Sequence, residues 1–322
     1  MMHNNLTNNK GPQGSSNVFK EKGFQKIDKA VNQSVVIVKD AMQGKRDVLP
    51  TKWPRLNRNL LGGLQKGKLY VIAGRPGVGK SAFSNQLVFD VLDSNPDKDL
   101  IVLYWTFEMP GYQQVMRTAA KDVKKQMADL LSVDDPLSQV DFQTYANRVD
   151  KLKKYNIYFN NIPRSIEFIK QANTQIFMDH PKTMVINLFD HSRLIPGTEE
   201  TELRKLNSVS KGCMWMQSRM GVVNILLSQL NRNIEQEHRA KNQYQPLLSD
   251  IFGGDSIGQD ANVVMILNRP HDLYGVEDMY CNEDPIGLLA CHVEKNRDGL
   301  LGMIPYEAEM STFTIHERKK NK

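Results

Sequence analysis

The octapeptide at residues 74–81 constrains the fold more than any other stretch, because its letters, Gly-Arg-Pro-Gly-Val-Gly-Lys-Ser, fit the pattern G-x-x-x-x-G-K-[ST]. An apolar run at residues 69–73 precedes it, and apolar residues at helical spacing follow it from Ala82 to Leu92. A strand, a glycine turn and a helix N-terminus in this order direct backbone N–H groups and a helix dipole at one place, where an anion can bind. The pattern predicts a phosphate-binding loop in an α/β fold, and the alternative is a glycine turn that binds nothing.

Each residue type in this loop has a chemical reason. Glycines lack a Cβ, so the backbone can curl closely around phosphate oxygens. The lysine can reach the β- and γ-phosphates, and the serine hydroxyl can hold Mg²⁺. We therefore expect a nucleoside triphosphate and Mg²⁺ as cofactors, held by Gly74, Arg75, Pro76, Gly77, Val78, Gly79, Lys80 and Ser81.

The composition narrows the class of protein. Of the 322 residues, 40% are hydrophobic and 24% charged, which is typical of a globular chain with a full core. No run approaches the roughly 18 apolar residues that a membrane span needs, and the first residues are too polar for a signal peptide, so a cytoplasmic protein with no membrane partner is expected. The three cysteines lack C-x-x-C spacing and indicate neither a disulfide framework nor a zinc site. The formal net charge of +6 is compatible with a polyanionic partner.

Apolar runs and turn residues divide the chain into four segments: a disordered tail at 1–17, a lone helix with a connector at 18–48, a globular domain at 49–316 and a charged tail at 317–322. Within the globular segment, strand-like runs alternate with helical patterns, which predicts a mostly parallel twisted sheet flanked by helices, with an antiparallel portion near the end. Strands are predicted at 69–73, 99–107, 157–159, 183–189, 221–228, 262–267, 286–293, 301–306 and 312–315, and helices at 111–131, 136–155 and 165–178.

Polar residues close several of the predicted strands. In an open parallel sheet, ligands bind beyond the carboxyl ends of the strands, so we expect these side chains at the edge of the sheet that carries Lys80. The alternative for each is a solvated strand end without chemistry. The residues are Glu108, Asp190, Gln229, Lys295 and Arg297.

Nucleoside triphosphate hydrolysis needs these residue types. A carboxylate must hold the Mg²⁺ shell opposite the serine hydroxyl, a carboxylate or amide must orient the attacking water, and cations must neutralise charge that develops on the γ-phosphoryl group. Asp190 fits the first role, with Asp179 as the fallback, and Glu108 fits the second as base. Gln229 can sense the γ-phosphate by an amide hydrogen bond. Lys295 and Arg297, two residues apart, would point the same way as a paired cationic finger, and the alternative is a solvated basic turn.

The order of these motifs resembles that of one family. The colinear segments are 74–81, Thr-Phe-Glu-Met at 106–109, the strand ending at Asp190, Ser-Gln-Leu-Asn-Arg at 228–232, Ser-Ile-Gly-Gln-Asp-Ala at 256–261 and Lys-Asn-Arg-Asp-Gly at 295–299. Together they are similar to the C-terminal motor domain of DnaB-type replicative DNA helicases, over about 49–315. The resemblance implies a RecA-like P-loop NTPase core, a homo-hexameric ring with ATP bound between neighbours, single-stranded DNA in the channel and 5′-to-3′ translocation, in a bacterial or phage-infected cell.

The resemblance also implies how the residues are shared between subunits. Lys80, Ser81, Glu108, Asp190 and Gln229 would act within one subunit, and Lys295 and Arg297 would reach the γ-phosphate of the next. The helix within 18–48 would take the place of the linker helix that docks on the neighbouring motor. The family's N-terminal helical domain has no counterpart in this sequence, so primase contact through it is not expected, and possible protein partners are primase, a helicase loader or a separate protein with that domain.

Two segments are candidate DNA-binding loops, 193–205 and 233–254, and for both the alternative is an ordinary surface loop. The loop before the Ser-Ile-x-Gln-Asp motif carries no cation here, so backbone N–H groups of its two glycines would have to hold a phosphate. The candidate residues are Arg193, Arg204, Lys205, Arg239, Lys241, Gly253 and Gly254. The favoured function is an ATP-driven helicase motor; the alternatives are a RecA- or RadA-like recombination or repair ATPase and a nucleotide-binding ring with little unwinding activity.

Overall fold

The computed structural model describes residues 25–319, and the chain divides into two units between Asp47 and Val48. In the first unit, helix α1 spans Ile27–Met42, and none of its residues is buried. Apolar side chains on this helix are therefore exposed to solvent, including Val31, Val35 and Val38. The predicted disordered tail at 1–17 and the first residues of the predicted lone helix lie outside the described residues.

Within the described residues, nine strands of the second unit form one sheet. They are β3 (Leu69–Gly74), β4 (Leu100–Thr106), β5 (Ile157–Asn160), β6 (Met184–Asp190), β7 (Val223–Gln229), β8 (Val263–Asn268), β9 (Leu288–Asn296), β10 (Gly302–Glu309) and β11 (Thr314–Glu317), in the order β11-β10-β9-β8-β3-β7-β6-β4-β5. A short separate pair joins β1 (Val48–Leu49) to β2 (Leu64–Gln65). The strands predicted from sequence are present, with their ends shifted by at most three residues.

Helices cover both faces of the sheet. They are α2 (Pro54–Asn59), α3 (Lys80–Ser94), α4 (Gly111–Val123), α5 (Met127–Leu130), α6 (Gln139–Leu152), α7 (Ile166–Asp179), α8 (Glu202–Met220), α9 (Gly254–Asp260) and α10 (Pro270–Tyr274). Because both faces are covered, every residue of β3, β4 and β6 is buried, which explains their continuous apolar sequences. This mostly parallel α/β sheet with helices on both faces matches the fold that the strand pattern predicts and that the resemblance implies.

Strand direction separates two ends of the sheet. Strands β8, β3, β7, β6, β4 and β5 run parallel, and their carboxyl ends form what we call the P-loop end. Strand β9 runs antiparallel to β8, pairing Lys295 with Val264 at the start of that strand. Its last residues therefore lie at the amino ends of the parallel strands, which we call the far end.

The prediction that all the polar strand-end residues share the edge of Lys80 is therefore wrong for Lys295 and Arg297. The backbone N–H of Arg297 donates to Asn262 O, 3.0 Å away, whereas the end of the P-loop strand pairs with Leu267. Five residues of extended strand separate these two levels, or about 16 Å. The physical reason is that the connection between β8 and β9 reverses the chain, so a strand end in sequence lies at the opposite end in space.

Two apolar layers hold the site in place. On one face, Trp53 and Tyr306 pack on Phe83 of the helix that follows the P-loop, with ring centroids 4.7 Å and 5.4 Å from that of Phe83. On the other face, Leu206 and Ile257 join the helices α8 and α9 to the sheet. Removing a buried aromatic ring such as Phe83 would cost roughly 3–5 kcal/mol, so this layer fixes the position of α3.

A few boundaries differ from the sequence expectations. Helix α8 begins at Glu202, so part of the predicted loop 193–205 is helical. Strand β11 extends to Glu317, one residue into the predicted charged tail, where its carboxylate accepts hydrogen bonds from the backbone N–H groups of Arg55 and Leu56. No helix between residues 25 and 319 is both long enough and apolar enough to cross a bilayer.

Candidate nucleotide site

The phosphate-binding loop has the backbone that its glycines predict. Gly79 has a φ of +101° and directly precedes Lys80, the first residue of α3. A Cβ on Gly74 would lie 2.6 Å from Val78 Cγ1 and 3.0 Å from Leu267 O, so no larger residue fits there without movement. The loop is therefore a tight turn between a buried strand and a helix N-terminus, which favours an anion.

Lys80 lies folded against this loop. Its Nζ donates to Gly74 O and Arg75 O, both 3.0 Å away. Burial lowers the pKa of Lys80 to about 8, and the nearby carboxylates of Asp190 and Glu108 oppose that shift. A bound triphosphate would add negative charge beside this amine and so favour its charged form.

Asp190 closes β6 beside the loop. It is 3% exposed, and its Oδ2 has no hydrogen-bond partner among the described residues. Burial raises the pKa of Asp190, whereas the hydrogen bond with Ser81 works to lower it. A buried carboxylate oxygen without a partner, next to a serine hydroxyl, fits the oxygen ligands that Mg²⁺ prefers. The fallback Asp179 ends α7 and accepts hydrogen bonds from Gln175 instead.

Glu108 and Gln229 both contact His191, a residue to which the sequence analysis assigned no role. His191 Nε2 lies 3.0 Å from Glu108 Oε1 and 3.5 Å from Gln229 Nε2. Burial lowers the pKa of His191, which Glu108 opposes. The only sequence signal was its place directly after Asp190, which does not by itself distinguish a site residue from a strand end.

A cavity of about 440 Å³ joins these groups. Besides the predicted residues, Arg117, Met310 and Phe313 line it, and the Arg117 guanidinium lies 4.8 Å over the Phe313 ring. Met310 and Phe313 come from the turn between β10 and β11, more than 200 positions after the P-loop. No local pattern could have placed them here, because the fold alone brings this turn to the loop.

Arg75, predicted as a nucleotide contact, has other partners in this structure. Its Nε donates to Glu235 Oε1 at 2.7 Å, and its Nη1 donates to Leu230 O at 3.0 Å. Both partners belong to the segment that follows Gln229. The phosphate-binding loop is therefore joined directly to the start of the second candidate DNA loop.

At the far end, Lys295 and Arg297 share one anchor. Lys295 Nζ donates to Gly258 O and Gln259 O at 2.7 Å and 2.8 Å, and Arg297 Nη2 donates to Gln259 O at 2.9 Å. These carbonyls lie near the C-terminus of α9, where the helix dipole favours positive charge. The two cations do point the same way, and they lie far from Lys80 of their own subunit.

The basic residues of the first candidate DNA loop are paired with nearby carboxylates. Arg193 and Lys205 both contact Glu202, each at 3.1 Å, and the exposed Arg204 pairs with Glu200 at 3.0 Å. The charge that this segment presents is therefore largely neutralised.

The second candidate DNA loop contains one buried and one exposed cation. Arg239 is 8% exposed, and its guanidinium donates two hydrogen bonds of 2.9 Å to the carboxylate of Asp250. Lys241 is exposed. Gly253 and Gly254 form the start of α9, and Gly253 has a φ of +72°. Arg239 therefore holds the loop together, and Lys241 remains exposed at its surface.

Comparison with known proteins agrees with this geometry. The family model described as "DnaB-like helicase C terminal domain" matches residues 48–315. "Replicative DNA helicase DnaB" of Buchnera aphidicola is 26% identical over 95% of this chain, and "Replicative DNA helicase DnaC" of Bacillus subtilis is 26% identical over 92% of it. The matches cover 66% and 63% of those proteins, so the chain spans less than two thirds of the length of these relatives.

Solved structures show the same fold. A structure titled "The Structure Of A DnaB-Like Replicative Helicase And Its Interactions With Primase" superposes with a TM-score of 0.77 at 20% identity, covering 92% of this chain and 67% of that one. An isolated ATPase domain superposes with the same TM-score at 19% identity, covering 90% of this chain and 99% of that one.

Proposed function

The chain belongs to the DnaB-like helicase C-terminal domain family, and from this premise we propose that it is the ATP-driven motor of a replicative DNA helicase that moves along single-stranded DNA as a ring of six copies. The observation that carries the proposal is the division of the hydrolysis machinery between two ends of the sheet. The phosphate-binding loop, with Glu108 and Asp190 beside it, lies at one end. Lys295 and Arg297 lie at the other end, far from the phosphate-binding loop of the same copy. Two copies must meet for these parts to act on one nucleotide.

Within one copy, the described residues supply binding and water activation. The backbone of 74–79 and Lys80 hold the triphosphate, and the turn at Met310 and Phe313 borders the same cavity. Glu108 accepts a proton from the attacking water, and its contact with His191 orients the carboxylate. Gln229 donates an amide hydrogen bond to the γ-phosphate.

Ser81 and Asp190 would hold Mg²⁺, because the buried Asp190 oxygen lacks a partner and the serine hydroxyl lies beside it. When bound, the ion neutralises charge on the phosphate oxygens. The family relationship supports ATP as the nucleotide.

In the neighbouring copy, Arg297 and Lys295 place positive charge on the γ-phosphoryl group as negative charge develops there. Such a finger contributes about 10³ to 10⁵ in rate when it arrives from another subunit. Exchange of their present carbonyl partners for a phosphate is electrostatically favourable, because a charge-assisted hydrogen bond to an anion is stronger than one to a neutral oxygen.

DNA would lie against the segments that follow β6 and β7, where Lys241 is the best exposed candidate for a phosphate contact and the N–H groups of Gly253 and Gly254 are further candidates. Helix α1, with its exposed apolar side chains, would dock on a neighbouring copy as the linker helix. A primase or a helicase loader is the corresponding protein partner; a solved relative is described by its interactions with primase. The family match does not favour the recombination alternative.

The test is oligomeric state by light scattering with and without ATP and Mg²⁺, followed by ATP hydrolysis with and without single-stranded DNA and by unwinding of a forked duplex. We expect a hexamer, faster hydrolysis with DNA, and unwinding. A confirmed hexamer whose rate of ATP hydrolysis is the same with and without single-stranded DNA at low salt would contradict the proposal. That result would instead support a nucleotide-binding ring that does not move along DNA.

A further inference from the structure

Arg193 occupies the junction between the nucleotide site and both candidate DNA loops. It follows the Mg²⁺ candidate Asp190 by three residues, in a 3₁₀ turn at Ser192–Leu194. Its guanidinium has three neighbours: Nε donates to Glu202 Oε1 at 3.1 Å, Nη1 donates to Gln229 Oε1 at 3.4 Å, and the group lies 4.7 Å over the Phe252 ring. These neighbours come from three different segments of the chain.

One of those neighbours senses the nucleotide. Gln229 lines the nucleotide cavity and lies 3.5 Å from His191, which in turn contacts the catalytic candidate Glu108. An amide that turns its N–H toward a γ-phosphate must reorient its oxygen as well. Arg193 therefore keeps or loses its hydrogen bond to Gln229 Oε1, depending on whether that oxygen still points toward the guanidinium.

The second neighbour lies at the end of the second candidate DNA loop. The backbone N–H of Phe252 donates to Gln229 O at 2.8 Å, and Leu230 pairs with Ile251, so both ends of the loop meet at Gln229. Phe252 precedes Gly253, where an added Cβ would lie 3.0 Å from Leu206 Cδ1 of α8. The Phe252 ring thus stacks with the Arg193 guanidinium two residues before the start of α9.

The third neighbour makes a direct DNA contact by Arg193 unfavourable. Glu202 binds both Arg193 and Lys205, so its carboxylate partly compensates the positive charge of Arg193. A phosphate that approached this guanidinium would compete with the carboxylate for its charge and would be repelled by it.

We propose that Arg193 is a positioning residue that couples the orientation of the Gln229 amide to the second candidate DNA loop, 233–254, through the face of Phe252. When the Gln229 oxygen turns away, the guanidinium shifts toward Glu202 and changes its stacking on Phe252, which moves the end of the loop. The inference rests on the proposed function, since it requires that DNA and nucleotide bind to the same motor.

The decisive variant is Arg193→Lys. It keeps the positive charge and the capacity to bind Glu202, but it cannot donate to Glu202 and Gln229 in the planar geometry of a guanidinium or stack in the same way on an aromatic ring. Phe252→Leu tests the same link from the other side, because it keeps an apolar side chain and removes the aromatic face. Arg164→Lys is the matched control, since the Arg164 guanidinium lies 4.8 Å over the Phe168 ring away from the nucleotide cavity.

The measurement is the affinity for a single-stranded oligonucleotide, by fluorescence anisotropy, with ADP and with a non-hydrolysable ATP analogue over a range of salt concentrations. In the wild type the affinity for the oligonucleotide should differ between the ATP analogue and ADP. We expect that difference, expressed as a ratio of the two affinities, to shrink at least about fivefold in Arg193→Lys and in Phe252→Leu, within the usual range of coupling between sites. The stimulation of ATP hydrolysis by DNA should fall with it. The Arg164→Lys ratio should match that of the wild type.

Arg193→Ala separates coupling from direct contact. If Arg193 binds a DNA phosphate, the affinity should fall equally with both nucleotides, and the slope of log affinity against log salt should decrease by about 0.7, as for one contact on a single strand. That result would overturn the inference, as would an unchanged affinity ratio in Arg193→Lys. A wild-type protein whose ATP hydrolysis does not depend on DNA, and whose DNA affinity does not depend on the nucleotide, would overturn both the proposed function and this inference. The variant results above would overturn the inference alone, so the two outcomes can be distinguished.

Discussion

The two ends of the sheet differ in what holds their functional side chains. At the P-loop end, Asp190 is buried and the carboxylate of Glu108 contacts His191, so these groups are positioned within one copy of the chain. At the far end, Arg297 is exposed and is held by a single backbone carbonyl, that of Gln259. The side chains at the P-loop end are preorganised within one copy, whereas the two cations lie at the opposite end of the same sheet.

Strand direction produces this difference. Had β9 run parallel to β8, its carboxyl end would have placed Lys295 and Arg297 beside Lys80 of the same copy. The reversal costs no crossover helix, since antiparallel neighbours need only a connecting loop. One change of strand direction therefore separates the two cations from the P-loop, and this separation is the basis for proposing a site shared between two copies.

The largest expected effect comes from removing the cation at the far end. Arg297→Ala should reduce ATP turnover by about 10³ to 10⁵, while nucleotide affinity stays near that of the wild type, because the finger acts mainly in the transition state. Steady-state hydrolysis and binding of a fluorescent nucleotide check this. A parallel loss of affinity would show that Arg297 also stabilises the bound ground state.

Mixed rings test the sharing directly. Glu108→Ala subunits lack the base and Arg297→Ala subunits lack the finger, but an interface between the two can contain one intact set of residues. We expect inactive parents and partial activity in the mixture. Mixed rings that form, as seen by mass spectrometry, and yet remain inactive would contradict the assignment of Arg297 to the neighbouring copy.

The next effect concerns the P-loop end alone. Lys80→Ala should lower turnover by about 10² to 10³ or more, since it removes a preorganised donor from the phosphates, and it should also weaken nucleotide binding. The two variants should differ in nucleotide affinity, which falls in Lys80→Ala and stays near that of the wild type in Arg297→Ala; calorimetry measures it. Arg117→Ala is a useful companion, because Arg117 lines the same cavity and was not predicted from sequence.

Sequence patterns predicted the P-loop end well for a physical reason. The glycine turn, the buried strands and the polar residue that closes each strand are local features, and parallel strands bring their carboxyl ends together. Glu108, Asp190 and Gln229 were therefore predicted at one place, and the structure brings them there. Their individual roles in hydrolysis stay predictions.

The features that sequence missed depend on distant parts of the chain. An antiparallel portion near the end of the chain was predicted, but the end of the sheet that holds Lys295 and Arg297 depends on how β8 connects to β9. Phe313 reaches the cavity from a hairpin that no local pattern relates to the P-loop. Helix α8 was not predicted from sequence, and Gly212, a residue that disfavours helices, lies in its interior. The structure explains that glycine, since a Cβ there would lie 2.2 Å from Ile166 Cγ1. Likewise, only the fold shows that Arg239 is bound by Asp250.

A smaller effect should follow from loosening the anchor of the cations. Asp260 is buried at the end of α9 and accepts hydrogen bonds from Ser210 Oγ at 2.7 Å and Lys211 Nζ at 2.6 Å. Asp260→Asn should lower the free energy of unfolding by about 1–3 kcal/mol, as for a lost charged hydrogen bond. Urea denaturation measures it, with the exposed pair of Asp150 and Lys153 as the control through Asp150→Asn. Turnover should fall more than nucleotide affinity, because α9 carries the Gln259 carbonyl that holds Arg297.

The smallest expected effect is a pH dependence of the free energy of unfolding that arises from a histidine in β9, the strand that carries Lys295. His292 of β9 is buried, its Nε2 lies 2.9 Å from the Tyr280 hydroxyl, and that oxygen also accepts a hydrogen bond from Asn268. Burial of the imidazole in this network favours its neutral form.

Burial lowers the pKa of His292 to about 4 from its ordinary 6.5. Between these values the unfolded chain binds a proton that the folded chain does not, so stability falls on acidification, by about 1 kcal/mol from pH 7.5 to 5.5. His292→Asn should lose this part of the pH dependence of the unfolding midpoint, whatever its effect at neutral pH, whereas substitution of the exposed His316 by Asn should keep it. If both variants retain the full dependence, acid sensitivity arises elsewhere in the molecule, and the strand that carries the cations is no more sensitive to acid than the P-loop end.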